Sequence, residues 1–179
     1  LDGETVVKLV PVIGYLHRGT EKIAENRTYT MVIPFTDRLD YIGAMAMNLG
    51  YVRAVEKLLG VEAPPRARFL RTAVVELQRI ASHLMYFTAM GLDTGATTVY
   101  LHCFRDRERI NDLMEHATGQ RLLYHYFRIG GLRNDLPVDF CDGVRDLIAY
   151  LPAKFREYDN LLTKNRIFRA RMEGMSYLP

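Results

Sequence analysis

Two short segments concentrate side chains able to move protons or hold charge. One runs Gly14-Tyr15-Leu16-His17-Arg18-Gly19-Thr20-Glu21-Lys22, then through Arg27-Thr28-Tyr29 to Thr36-Asp37-Arg38-Leu39-Asp40-Tyr41. The other, Gly91-Leu92-Asp93-Thr94-Gly95-Ala96, sets a carboxylate between glycines. A phenol such as Tyr41 can donate a hydrogen bond to a carbonyl, and a carboxylate such as Asp93 can orient or relay a proton. On residue type alone, capping of a helix end is the simpler account of Asp37, Asp40 and Asp93.

Other chemistries find less support. The histidines are His17, His83, His102, His116 and His125, and no two stand three or four apart as a helical metal pair would. His83 reads as a satisfied polar residue of an amphipathic helix. Cys103 and Cys141 make neither a disulfide framework nor a Cys-x-x-Cys, so the usual thiolate set of an iron–sulfur cluster is missing. Both read as small buried thiols. The sequence has no Gly-x-Ser-x-Gly, no P-loop and no Gly-x-Gly-x-x-Gly. Arg105-Asp106-Arg107-Glu108-Arg109 could take an anion, but reads first as a solvated or interfacial helix face with local charge pairing. Tyr124-His125-Tyr126-Phe127-Arg128 reads first as packing and second as ligand contact.

The elements that must position these residues are mostly helices. With 179 residues, 49% of them hydrophobic, the chain suits a single domain over 1–179. Its net charge of +3 is spread, with acids between the arginines, which argues against a nucleic-acid partner. No apolar run reaches 18 residues. Leu1 in place of an initiator Met, and the ending Tyr177-Leu178-Pro179, lead us to expect a piece of a longer chain.

Val-rich Thr5 to Ile13 predicts a short strand. A helix is expected over Thr20–Thr30, with a break at Pro34. Thr36-Asp37 then predicts the N-cap of a helix carrying Leu39, Ile42, Ala46, Leu49, Val52, Val55 and Leu59, closed by Gly60. A longer helix opens at Pro64-Pro65 and runs to about Met90, with Leu70, Ala73, Val74, Leu77, Ile80, Ala81 and Leu84 as its stripe. The next starts at Thr97 or Thr98 and ends at Gly119. After a loop over Arg128–Pro137, Val138 to Leu162 is helical, with a kink or break at Pro152. The class is mainly α: a helical bundle with a short N-terminal strand.

In order along the chain, Gly14–Lys22, Asp37–Tyr41, Ala54–Gly60, Pro64–Ala67, Gly91–Ala96, Thr118–Arg121, Arg128–Pro137 and Asn165–Phe168 resemble the D subunit of bacterial respiratory complex I, an NADH–quinone oxidoreductase. The resemblance implies the central fragment of a hydrogenase-large-subunit-like fold. It implies quinone as substrate, reduced beside a 4Fe-4S cluster held by the neighbouring B subunit, with no metal ligated by this chain. The B, C and I subunits and the H subunit of the membrane become the expected partners, on the cytoplasmic face of the cell membrane, in an enzyme that couples the reaction to proton translocation. Tyr41 matches a tyrosine that hydrogen-bonds the quinone headgroup. Asp93 matches an aspartate paired with a second headgroup contact, a histidine. Arg18 and Arg38 match arginines near the terminal cluster, where positive charge favours the reduced state.

Two departures bear on this. The His-Pro…His-Gly hairpin that carries the headgroup histidine is not in this sequence, nor is the C-terminal part of the family's chain, so the isolated fragment is expected to be inactive. Many relatives place a histidine after Gly-Gln-Arg that links cluster potential to pH; here Leu123 takes that position and His125 is out of register, which implies weakened proton coupling. A membrane-bound [NiFe] hydrogenase large subunit shares Arg18-Gly19-Thr20-Glu21, but would carry a thiolate pair where this chain reads Thr36–Tyr41. A non-catalytic helical scaffold is the third reading.

Overall fold

The computed structural model describes residues 1–175. Its helices are α1 (Thr20–Ala24), α2 (Tyr29–Thr36), α3 (Ala44–Leu59), α4 (Pro65–Asp93), α5 (Thr97–Thr118), α6 (Phe140–Tyr158) and α7 (Arg166–Met172). Strands β1 (Phe127–Arg128) and β2 (Gly131–Leu132) form one antiparallel hairpin. The chain is mainly α, as its periodicity predicts.

The ends of α3 and α5 follow local chemistry. Gly60 and Gly119 adopt left-handed backbones (φ 67° and 77°) that turn their N–H groups back to the carbonyls of Glu56 and Glu115. Helices α3 and α4 then run antiparallel. Glu56 meets Arg71 near their connection, and the Met45 N–H donates to Gln78 Oε1 near the far end of α3. α5 returns along α4 and α6 along α5. Gly91 lets the α4–α5 corner close: a Cβ there would stand 3.2 Å from the Ala96 carbonyl oxygen and 3.3 Å from Val99 Cβ. Between these layers lies one apolar core, including Val52, Val74, Leu77, Leu84, Val99, Ile110, Met114, Tyr124, Tyr126 and Phe127. Each fully buried side chain of this size contributes about 1.5–3 kcal/mol.

The structure corrects several boundaries. Residues 5–13 form no strand: the only pairing there is a bridge between Asp2 and Thr5, and Val6, Val7, Leu9, Val10, Val12 and Ile13 are exposed. Alternating valines favour extended backbone, but a strand also needs a neighbour to complete its ladder. The helix expected over Thr20–Thr30 is two helices, because Thr28 caps α2 by accepting from the Met31 N–H at 3.4 Å. Pro34 lies inside α2 without ending it, and Pro152 likewise lies inside α6. A π turn, Asp159–Thr163, follows α6, and α7, which the periodicity did not signal, starts at Asn165, whose side chain accepts from the Ile167 and Phe168 N–H groups.

Two side-chain expectations also change. Asp106 is fully buried rather than on a solvated face. It accepts from Arg105 Nε at 2.7 Å, Tyr150 hydroxyl at 2.8 Å and the Tyr158 hydroxyl, tying α5 to α6. Cys103 is buried as expected, whereas Cys141 is exposed near the start of α6.

Candidate functional site

The α2–α3 connection is shaped by two aspartates. Asp37 is not the N-cap of α3, which begins only at Ala44. It follows the last turn of α2 and turns inward, where its carboxylate accepts from Asn48 Nδ2 and from the His125 backbone N–H, both at 2.6 Å. Burial pushes its carboxyl above the ordinary aspartate range, while those two donors and the nearby charges of His125 and Arg38 pull it back. Asp40 does act locally: its Oδ1 accepts from the Ile42 and Gly43 N–H groups, each at 3.1 Å. Gly43 packs closely beside it: a Cβ there would come within 2.6 Å of Asp40 Oδ2, and the carboxylate would have to shift.

Tyr41 rides on this pinned connection. It is 60% exposed, and among the described residues its hydroxyl makes no hydrogen bond. Arg38, half-buried, points NH1 to the Pro34 carbonyl at 2.6 Å and to His125 Nε2 at 2.9 Å. Arg18 donates to the Arg38 carbonyl from the exposed segment before α1. The structure therefore gathers Arg18, Arg38 and Tyr41 at one corner. Asp93 is the last residue of α4, exposed, on the α4–α5 corner. Along the helix it lies about 22 Å beyond Gln78, the residue that meets the start of α3. Arg171 of α7 reaches this corner and donates to the Thr94 carbonyl.

A second polar tie sits at the other end of α3. Glu56 and Arg71 form a buried double hydrogen bond (3.0 and 2.6 Å), and Arg71 NH2 also donates to the carbonyls of Arg128 and Gly131 at 2.9 Å. Glu56 in turn accepts from the Gly130 N–H at 2.8 Å. The Arg71 guanidinium holds the Glu56 carboxyl below its ordinary range.

Sequence reasoning missed Asn48, His125, Glu56 and Arg71. The signal was present for three of them. Asn48 falls in register with buried Val52 and Val55; Glu56 follows directly; Arg71 falls in register with Val74, Gln78 and Ala81. A polar side chain on a buried stripe must find a partner. Leu123 packs against the core, and Tyr124, Tyr126 and Phe127 are buried as the packing reading expects, whereas the His125 ring meets Arg38. Among the described residues no group of His, Cys, Asp and Glu could hold a metal ion, and no helix is long and apolar enough to cross a membrane.

Comparison with known proteins places these residues in a family context. Residues 93–179 match the family model described as respiratory-chain NADH dehydrogenase, 49 Kd subunit. The chain is 53% identical over 178 residues to the D subunit of NADH-quinone oxidoreductase from Desulforamulus reducens, covering 99% of this chain and 49% of that protein. It is 50% identical over 176 residues to the corresponding D subunit from Carboxydothermus hydrogenoformans, covering 98% and 48%. To the H 1 subunit of NAD(P)H-quinone oxidoreductase from Gloeobacter violaceus it is 49% identical over 178 residues, covering 99% and 45%. The chain thus spans about half the length of the relatives it matches.

Proposed function

We infer the role of this chain from its family: it belongs to the family of the 49 kDa subunit of respiratory-chain NADH dehydrogenase, the D subunit of NADH–quinone oxidoreductase. We propose that in the full-length protein it forms part of the quinone-reduction site, beside a terminal 4Fe-4S cluster held by the B subunit. In this reading the B, C, I and H subunits are its neighbours, the assembly is peripheral on the cytoplasmic face of the membrane, and quinone reduction is coupled to proton translocation. The cluster supplies electrons; the chain's own residues bind, orient and protonate.

Tyr41 is the residue that touches the substrate. Its phenol donates a hydrogen bond to a quinone carbonyl oxygen and can pass on its proton as that oxygen gains negative charge. Asp93 orients or relays protons on the other side of the site, with the histidine supplied by the rest of the full-length protein. Arg38 and Arg18 bring positive charge toward the cluster and favour its reduced form. Leu123, apolar where many relatives carry a titrating histidine, leaves the cluster with weakened proton coupling. The observation that carries this reading is a solvent-facing, unpartnered Tyr41 phenol on a connection fixed by Asp37 and Asp40.

The test is Tyr41→Phe in the full-length protein, assayed in membranes with quinone and with ferricyanide. We expect quinone reduction to fall about 10²-fold or more, with ferricyanide reduction and complex content unchanged. Unchanged quinone turnover would remove Tyr41 from the chemistry and leave this chain a scaffold for its neighbours.

A further inference from the structure

His125 is the one residue other than glycine with a positive φ (45°) among those described. That backbone region comes cheaply to glycine; asparagine, aspartate and histidine adopt it more often than other side chains do, at a cost glycine does not bear. The turn is imposed by its neighbours, since Tyr124 and Tyr126 are both buried in the core. Nothing in such a turn calls for an imidazole, yet the ring is in use. His125 Nε2 stands 2.9 Å from Arg38 NH1. A guanidinium can only donate, so Nε2 accepts and the ring proton sits on Nδ1.

The same residue is fixed through its backbone. Its N–H donates to Asp37 Oδ2 at 2.6 Å, and its carbonyl accepts from Arg128 NH1 at 2.6 Å. The Arg38 guanidinium is thereby clamped between the Pro34 carbonyl and the imidazole. We propose that His125 is a positioning residue for Arg38, its neutral imidazole holding the guanidinium in the orientation that quinone reduction requires. This rests on the reading that places Arg38 at the quinone site.

The inference implies a pH dependence. The groups facing the ring are Asp37 and Arg38 from the α2–α3 connection and Arg128 and Arg133 from the hairpin; Asn48 of α3 is uncharged. Burial, and then three guanidinium groups against one carboxylate, keep the ring neutral to below its ordinary value of 6.5. Protonation would remove the acceptor and set a cation against Arg38.

The experiment uses the assembled complex carrying the full-length protein with His125→Gly, His125→Gln or Arg38→Ala. His125→Gly relieves the backbone and removes the ring. We expect unchanged or higher thermal stability, unchanged ferricyanide reduction, and quinone kcat lowered about tenfold or more. His125→Gln keeps a side chain on this backbone and can place a non-titrating amide oxygen where Nε2 meets Arg38. It should restore most of the turnover and flatten the acid limb that the parent complex shows below about pH 6.5. A purely structural histidine would give the reverse, with lower content or melting temperature in His125→Gly but parental quinone turnover and pH profile per assembled complex; that result overturns the proposal. If Arg38→Ala is impaired while His125→Gly is not, only the positioning role fails. Parental turnover in Arg38→Ala overturns the reading of the site, and this inference with it.

Discussion

Glu56 and Asp37 each accept a backbone N–H from the segment that follows α5: Gly130 at 2.8 Å for Glu56, His125 at 2.6 Å for Asp37. Each lies at one end of α3, and each is buried. Their electrostatics differ in sign. Glu56 faces a full guanidinium, and its carboxyl is held below the ordinary range. Asp37 accepts from an amide and a backbone N–H and stands 3.6 Å from His125 Nε2, the ring atom to which Arg38 turns, and burial leaves its carboxyl raised. The receiving backbones differ too: Gly130 takes its positive φ freely, while His125 does not. One end of α3 is a charge-paired structural joint. The other keeps a charge imbalance and a strained residue beside the residues proposed for quinone chemistry, which is where folds retain such costs.

The sharpest way to break this contrast is Arg71→Ala. It leaves the Glu56 carboxylate buried without its cation and frees the carbonyls of Arg128 and Gly131. Removing one partner of a buried pair costs about 3–5 kcal/mol. We expect loss of folded protein and of assembled complex, read by complex content and thermal melting. An assembled Arg71→Ala complex with a parental melting temperature would show that the joint is not structural.

The contrast also explains what could be read from sequence. Helices α4 and α5 stand nearly where period, the proline that opens α4 and the glycine that closes α5 put them, all local signals; α3 ends at Gly60 as expected but starts at Ala44, several residues after the expected cap. Tyr41 stood out by residue type near a helix end, Arg18 and Arg38 only through the family resemblance, and the structure brings Arg18 onto the Arg38 carbonyl. Asp37 was misread, because an aspartate after a threonine looks like an N-cap whether or not a helix follows; its true partners lie 11 and 88 residues away. His125 stood out only as a member of an aromatic run, and its partners were hidden for the same reason. No local pattern announces a side chain whose backbone is bent by buried tyrosines and whose ring meets an arginine 87 residues earlier. The strand expected over residues 5–13 failed because pairing, unlike helix formation, is not a property of one segment.

Asp37→Asn sharpens the comparison with a smaller effect. The amide can accept at only one atom, so one of the two donors, Asn48 Nδ2 or the His125 N–H, meets another donor. An unmatched buried donor costs about 1–3 kcal/mol, less than the loss at Arg71. Thermal melting of the assembled complex should therefore fall less than in Arg71→Ala, while quinone turnover falls further than stability alone explains. A drop in melting equal to that of Arg71→Ala would erase the distinction between the two ends.

The smallest effect uses the two amides as matched reporters. Amide exchange in the assembled complex, corrected for intrinsic rates, should show Gly130 better protected than His125 at pH 7. Acidification should then separate them further. For Glu56 the folded pKa is lowered, so its stabilisation is present above the ordinary value of 4.5 and is lost only as pH falls through the lower folded value. For His125 the folded pKa is also lowered, but it is a base. The opened state takes up a proton near pH 6.5 that the closed state resists, so the closed state loses ground as pH falls from there. Asp37, shifted upward, returns part of that loss at lower pH. Between about pH 6.5 and 5 the His125 amide should thus lose protection while Gly130 holds, and equal behaviour of the two amides would mean that both ends of α3 are the same kind of joint.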